Sequence, residues 1–284
     1  MIRRRLEQPP VDVPQTILGN LSRKVAHAKI VCVESGIIAG IEALERRAKT
    51  LGLHVTPYVS SGSRVVSGSI VALVAGNPVQ IVVGEDWLLG TVAKVSGVAS
   101  AANAARSRAG RLRVVCGGWK KMPASMKDEL RDALKAGGLD ARIASGPFLY
   151  LDKNYVRLLG SIVAAMESAA KLPGRTIVIQ LRGETAPISE EAIIAARRGA
   201  HILMVDTGRL DDLRSVSAAL RHEGLRREVE IAFAGNLTLG DLEWLQHEDT
   251  DVVDIGRAIL DAPLLDFRYD VFDIRVCENG FSPS

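Results

Sequence analysis

From about residue 111 onward, short apolar runs alternate with longer segments whose apolar residues recur at helical spacing. The runs "RLRVVCGG" (111–118), "PFLYLDKN" (147–154), "TIVIQLRG" (176–183), "HILMVD" (201–206), "EVEIAFAG" (228–235) and "DVVDIG" (251–256) read as strands. Between them, 124–138, 155–172, 189–200, 209–224 and 239–248 read as helices. Strands alternating with helices in this way predict parallel βα units, and the β-branched, almost wholly apolar strands suit burial on both faces. About six such units predict an incomplete, six-unit α/β barrel, short of the eight-unit closed form. The first third is mixed. Residues 28–44 read as β-rich, turning at Gly36 and Gly40 into a helix that runs through Arg47. Residues 69–76 and 79–85 read as two strands separated by the turn pair Asn77-Pro78, and 86–110 as a long helix rich in small residues.

In such a fold, ligands gather at the carboxyl ends of the strands. Those ends carry Gly117-Gly118 with Lys120 and Lys121; Asp152, Lys153 and Asn154; Gln180 and Arg182; Asp206; Gly235-Asn236; and Gly256-Arg257. "FAGNL" (233–237) and "DIGRAI" (254–259) each end a strand on glycine before a helix. A missing Cβ there lets backbone N–H groups approach a phosphate, with Arg257 adding a charge-assisted bond; the alternative is two tight turns that merely need glycine. Asp206 could hold Mg2+ or cap the next helix. The loop lysines could hold carboxylate or pyrophosphate oxygens or be solvated, and Trp119 could cover an aromatic ligand or pack the loop. Asp152, Lys153 and Tyr155 form an acid/base cluster only if they converge in space.

Composition narrows the picture. Of 284 residues, 4% are aromatic and the net charge is +3, which disfavours nucleic acid and suits a small anion. The run "ARSRAGRLR" (105–113) reads as surface or subunit contact, or as an anion site. Cys32, Cys116 and Cys277 show no metal or disulfide spacing, so a reducing cytoplasm is expected. No apolar run reaches the roughly 18–20 residues of a membrane span. The start "MIRRRLEQPPVDVP" lacks the apolar stretch of a secretory signal. None of the five histidines sits in a recognisable triad or metal pair.

Across about residues 28–268 the order of these motifs resembles the quinolinate phosphoribosyltransferase (nicotinate-nucleotide pyrophosphorylase) family. "ESGIIAGIEAL", "GEDWLLGTVAKVSGVAS" with Ser96-Gly97, "ILMVDT", "FAGNL" and "VVDIGRAILDAPLLDF" carry it, as does the spacing from Pro123 to Gly137-Gly138. The resemblance implies an N-terminal α/β sandwich domain, 1–110, completed by 265–284, and a barrel domain, 111–264. It further implies a homodimer, or a larger homo-oligomer built from dimers, and transfer from 5-phosphoribosyl-1-pyrophosphate with Mg2+. By the same resemblance Gly235, Asn236, Gly256 and Arg257 would hold phosphate, and Asp206 metal or ribose. Lys120, Arg142 and Lys153 would serve pyrophosphate or acceptor. The pattern also departs from the family. Asp86 stands where a substrate arginine is expected, Trp119 at another arginine, Ala141 at a histidine before Arg142, Asp152 at a lysine, and Gln180 at a carboxylate. With those cations gone, the expectation is a phosphoribosyltransferase-like enzyme for an acceptor other than quinolinate, with Asp86 and Asp152 shaping a pocket for a neutral or cationic ring. Two rivals remain: a catalytically silent protein that binds a phosphorylated metabolite or nucleotide, and a lyase or isomerase acting on a phosphosugar through Asp152 and Lys153.

Overall fold

The computed structural model describes residues 12–276, so the reading of the first residues and that of Cys277 lie outside the described residues. The chain opens with α1 (Val13–Leu18), β1 (Lys24–Cys32), β2 (Gly36–Ile37), α2 (Ile41–Thr50), β3 (His54–Pro57), β4 (Arg64–Val65), β5 (Ile70–Gly76) and α3 (Pro78–Arg108). The expected strand at 79–85 is helix, the first turns of α3. Its cause is local. Asn77 Oδ1 accepts from the Gln80 N–H at 2.9 Å, while Gln80 Oε1 accepts from the Asn77 N–H at 3.0 Å. This reciprocal cap satisfies first-turn donors, and Pro78 needs no N–H at the first helical position. Asn77-Pro78 therefore starts a helix rather than turning between strands.

The next elements are β6 (Arg113–Val115), α4 (Lys127–Ala136), β7 (Phe148–Leu151), α5 (Lys153–Leu159), α6 (Ile162–Ala169), β8 (Thr176–Leu181), α7 (Ile188–Arg197), β9 (Ile202–Asp206), α8 (Leu210–His222), β10 (Glu230–Ala234), α9 (Asp241–Leu245), β11 (Val252–Asp254) and α10 (Arg257–Leu260). The helix expected over 155–172 is two. Gly160, at φ 85°, ends α5, and the Ser161 side chain caps α6 by accepting from the Ala164 N–H. The six strands form one parallel sheet in the order β6-β11-β10-β9-β8-β7, the six-unit α/β architecture expected.

Register decides what this sheet offers. Val115, Val178, Ile202, Met204, Ala232, Ala234 and Val252 pack on one face, joined by Ile143 from the loop before β7. Leu203, Val205, Ile231, Phe233 and Val253 alternate with them and are also buried. Moving along each strand in steps of two, the first face continues past its apolar layer into Gly117, Asp152, Gln180, Asp206 and Asp254. The floor is polar too: Arg113 at the start of β6 pairs with Glu230 at the start of β10 at 2.6 Å and donates to the Ile143 carbonyl. Within the arginine run 105–113, Arg111 binds protein, donating to the carbonyls of Gln246, Glu248 and Thr250.

The chain then returns as β12 (Phe267–Val276) to a four-stranded antiparallel sheet, β12-β1-β5-β3. Contacts divide the chain into two compact units, Met1–Gly97 with Pro263–Ser284, and Val98–Ala262. The first has its own core around Ile30, Leu44, Val74 and Leu88. Within it Ser96 Oγ accepts from the Ala39 N–H at 2.9 Å, and a Cβ on Gly97 would lie 2.0 Å from the Pro263 carbonyl, which explains the adjacent serine and glycine. Among the described residues no helix is long and apolar enough to cross a membrane.

Candidate active site

At the carboxyl ends of β8 and β9, Gln180 is buried and bonded through both its nitrogen and its oxygen. Its Nε2 donates to the Asp206 carboxylate and its Oε1 accepts the Lys153 backbone N–H at 2.7 Å. Asp206 is not a helix cap; Arg209 precedes α8 without a side-chain cap. Instead Asp206 meets Arg182, whose Nη1 donates to the Asp206 carbonyl at 2.6 Å and lies 3.5 Å from Oδ2. Arg182 also lies 3.3 Å from Glu184. Behind this loop sits Glu191, 2% exposed, whose carboxylate accepts from the N–H groups of Arg182, Gly183 and Thr185 and from the Thr185 hydroxyl. A carboxylate is tolerated there because every oxygen is paired.

Asp254, the last residue of β11, accepts the Gly117 N–H at 2.8 Å. Burial pushes its carboxyl above the usual range, against the lowering effect of that N–H and of Lys120, and the nearby charge of Asp206 pushes the same way as burial. In register, Asp206 and Asp254 stand on either side of Ala234, so they flank β10 two strand spacings apart, roughly 10 Å. Tyr150 lies within the same field. Burial raises its phenol first, then the charges of Asp254, Asp206 and Asp152. Lys120 Nζ sits 5.5 Å from the centre of its ring. Asp152 is partly spent, since its Oδ1 caps α5 by accepting from the N–H groups of Asn154 and Tyr155.

The glycines have a direct steric cause. A Cβ on Gly235, at φ 123°, would fall 2.3 Å from the Gly208 nitrogen, and that N–H donates to the Ala234 carbonyl at 2.9 Å. A Cβ on Gly118 would fall 2.9 Å from the Gly256 Cα. Neighbouring βα loops thus touch backbone to backbone, which is the tight-turn reading in a specific form. Arg257 is 82% exposed and bonded along its own helix to Asp261 at 2.9 Å.

The quinolinate phosphoribosyl transferase C-terminal domain matches residues 98–270, and the N-terminal domain of the same family matches 12–96. The chain belongs to the quinolinate phosphoribosyl transferase family. It is 27% identical over 240 residues to the human nicotinate-nucleotide pyrophosphorylase [carboxylating], covering 84% of this chain and 79% of that one. It is likewise 27% identical over 251 residues to a probable enzyme of the same name from Archaeoglobus fulgidus, covering 87% and 95%. In fold it is similar to NadC from Streptococcus pyogenes, with a TM-score of 0.77 at 19% identity over 93% of this chain and 92% of the other.

For a quinolinate phosphoribosyl transferase fold, the expected residues divide sharply. Lys120, Asp152, Lys153, Gln180 and Asp206 gather at the strand ends, together with Asp254, Tyr150 and Arg182. Arg142 does not. It is exposed in the loop before β7 and lines a cavity of about 1120 Å³ with Arg113, Thr176, His201 and Arg227, residues at the opposite ends of the strands. Trp119 packs its loop: Nε1 donates to the Ala141 carbonyl at 2.8 Å and the Arg131 guanidinium stacks 4.0 Å from its ring. Asp86 is exposed on α3 within the first unit. Asp254, Tyr150 and Glu191 were not singled out from sequence. The signal for the first two was the two-residue step along β11 and β7, which points to the inner face only once neighbouring registers are known; Glu191 sits mid-helix and carries no such mark. Among the described residues no group of three His, Cys, Asp or Glu is placed to cage a metal. Mg2+ does not need one, because it binds through one or two carboxylates and keeps its other positions for water and substrate phosphates. Asp206, half-buried at the strand ends, offers one such carboxylate.

Proposed function

We propose that this protein transfers a phosphoribosyl group from 5-phosphoribosyl-1-pyrophosphate to a ring nitrogen of an acceptor other than quinolinate. Family membership supports the transfer. The observation that carries the acceptor is the inner layer around Tyr150: three carboxylates, Asp152, Asp206 and Asp254, face Lys120 and Arg182, and Arg182 is already paired with Asp206. A dicarboxylate acceptor would meet like charge there, whereas a neutral or cationic ring would not.

In the transfer the ring nitrogen's lone pair forms the bond to the ribose C1 while the C1–oxygen bond breaks, its electrons leaving with pyrophosphate. Lys120 and Lys153 would attract the departing pyrophosphate, and the 235–236 and 256–257 loops would hold the ribose phosphate, with Arg257 exchanging Asp261 for it. Such catalysis is positioning and charge stabilisation rather than a covalent enzyme intermediate. Asp206 would hold Mg2+, which would neutralise pyrophosphate charge. Asp254 accepts the Gly117 amide and so fixes the loop that carries Lys120. A homodimer belongs to the same proposal.

Titration calorimetry with the pyrophosphate donor and Mg2+, followed by pyrophosphate release against quinolinate, nicotinate, nicotinamide and aminopyridines, tests it. Donor binding with release driven by a neutral or cationic ring is the expected result. Release with quinolinate, accompanied by carbon dioxide, would restore the activity named for the relatives. Nucleotide binding without release would make the chain a silent binder.

A further inference from the structure

We propose that Arg182 is an internal counter-ion of Asp206, occupying the place of the divalent cation, and that it turns to the donor's pyrophosphate when the cation arrives. The idea rests on the phosphoribosyl reading for its second half only. Among the described residues Arg182 pairs with Asp206 in the inner strand-end layer, and Lys120 stands over Tyr150 in the same layer. Arg182 is the only described cation within ion-pair distance of Asp206, at 3.5 Å from Oδ2. Its Nη1 also donates to the Asp206 carbonyl at 2.6 Å, so the guanidinium rests beside the carboxylate until a cation displaces it. The same Oδ2 also accepts from Gln180 Nε2, a neutral donor rather than a second charge.

The loop is built for this. Glu191 fixes the N–H groups of Arg182, Gly183 and Thr185, so the backbone under Arg182 is rigid while its side chain stays about one-third exposed. Glu184, 3.3 Å from the Arg182 Nε, is itself drawn to Arg157 at 2.6 Å. Its hold on Arg182 is therefore shared. A guanidinium bound to a carbonyl and two partly committed acids keeps donors for an incoming phosphate, and it matches phosphate oxygens in pairs. A divalent cation at Asp206 would repel Arg182 from the carboxylate, and a pyrophosphate bound to that cation would receive it. Cation and donor should then bind with mutual reinforcement, each strengthening the other by the same factor.

The test uses the full chain with Mn2+ as probe, its free concentration read from the electron paramagnetic resonance signal, with and without 5-phosphoribosyl-1-pyrophosphate. Arg182→Gln should bind Mn2+ alone about three- to tenfold more tightly, because a competing charge is gone. The same variant should bind the donor at least about tenfold more weakly, with the reinforcement between metal and donor lost. Arg182→Lys should recover part of the donor affinity. Glu191→Gln, which loosens the loop without removing the guanidinium, should leave Mn2+ affinity without donor close to the parent value. If Arg182→Gln binds Mn2+ no more tightly than the parent while melting at the same temperature, the counter-ion role is overturned. If the parent binds Mn2+ but not the donor, the phosphoribosyl reading fails and the counter-ion claim is judged on the Mn2+ comparison alone.

Discussion

Gly235 shows how much rests on one absent carbon. Its φ of 123° is open to few side chains, and a Cβ would meet the Gly208 backbone at 2.3 Å. Gly160 has a comparable left-handed φ of 85° with nothing within 4 Å of its Cβ position. Gly235→Ala should therefore cost about 2–4 kcal/mol, conformational strain plus overpacking, and Gly160→Ala about 1–2 kcal/mol, strain alone. Urea unfolding of the two variants measures the difference; equal losses would mean that the Gly208 contact relaxes freely. Glycine at 235 was legible in the sequence, but its reason was not, because the partner loop lies 27 positions earlier and only the fold brings it near. Asp254 was hidden more completely, since a strand that reads apolar gives no sign of which neighbour will face it. Its raised carboxyl pKa has a definite consequence. A carboxyl held above its unfolded value, about 3.9, favours folding only while protonated, so its contribution falls as pH rises from about 4 through the folded pKa. Asp254→Asn, which keeps an oxygen for the Gly117 N–H, should raise the melting temperature at pH 7.5 and leave it nearly unchanged at pH 3.5. A loss of stability at pH 7.5 would show the carboxylate to be compensated by Lys120 rather than exposed to burial.

Among the elements, α3 departs most from the sequence pattern, because its first turns carry a strand-like run. The run 79–85 is as β-branched as the true strand β5 before it, and periodicity over seven residues does not separate the two. What decides is the pair Asn77 and Gln80, each accepting the other's N–H. Asn77→Ala should destabilise the protein by about 1 kcal/mol and speed amide exchange in the first turn of α3. Gln80→Ala should do less, and the double variant should cost less than the sum, because each single change already breaks the reciprocal arrangement. By contrast the six parallel strands were legible, since each is bounded by a full helical period on both sides. The break between α5 and α6 was not, although Gly160-Ser161 is a stop followed by a cap.

Across the whole molecule, the two units differ in how their sheets are assembled along the chain. All six strands of the parallel sheet lie between Arg113 and Asp254; β7 to β11 sit side by side in chain order, and β6 joins them through β11. The antiparallel sheet instead waits for the chain's end: β12 pairs with β1 over nine register positions, from Lys24 with Val276 to Cys32 with Phe267. That pairing buries Phe267 and Tyr269 beside Ile30 and Val74, so β12 closes a core as well as an edge. A chain ending after Leu265 would leave β1 with an unpaired edge and the core without its two aromatic residues, a loss of several kcal/mol for that unit. The parallel sheet loses no strand by the same cut. Hydrogen exchange read by mass spectrometry should then show β1 and β5 losing protection while β8, β9 and β10 keep theirs. If all six parallel strands lose protection to the same extent, the chain folds as one cooperative body and the division into two units describes contacts rather than stability.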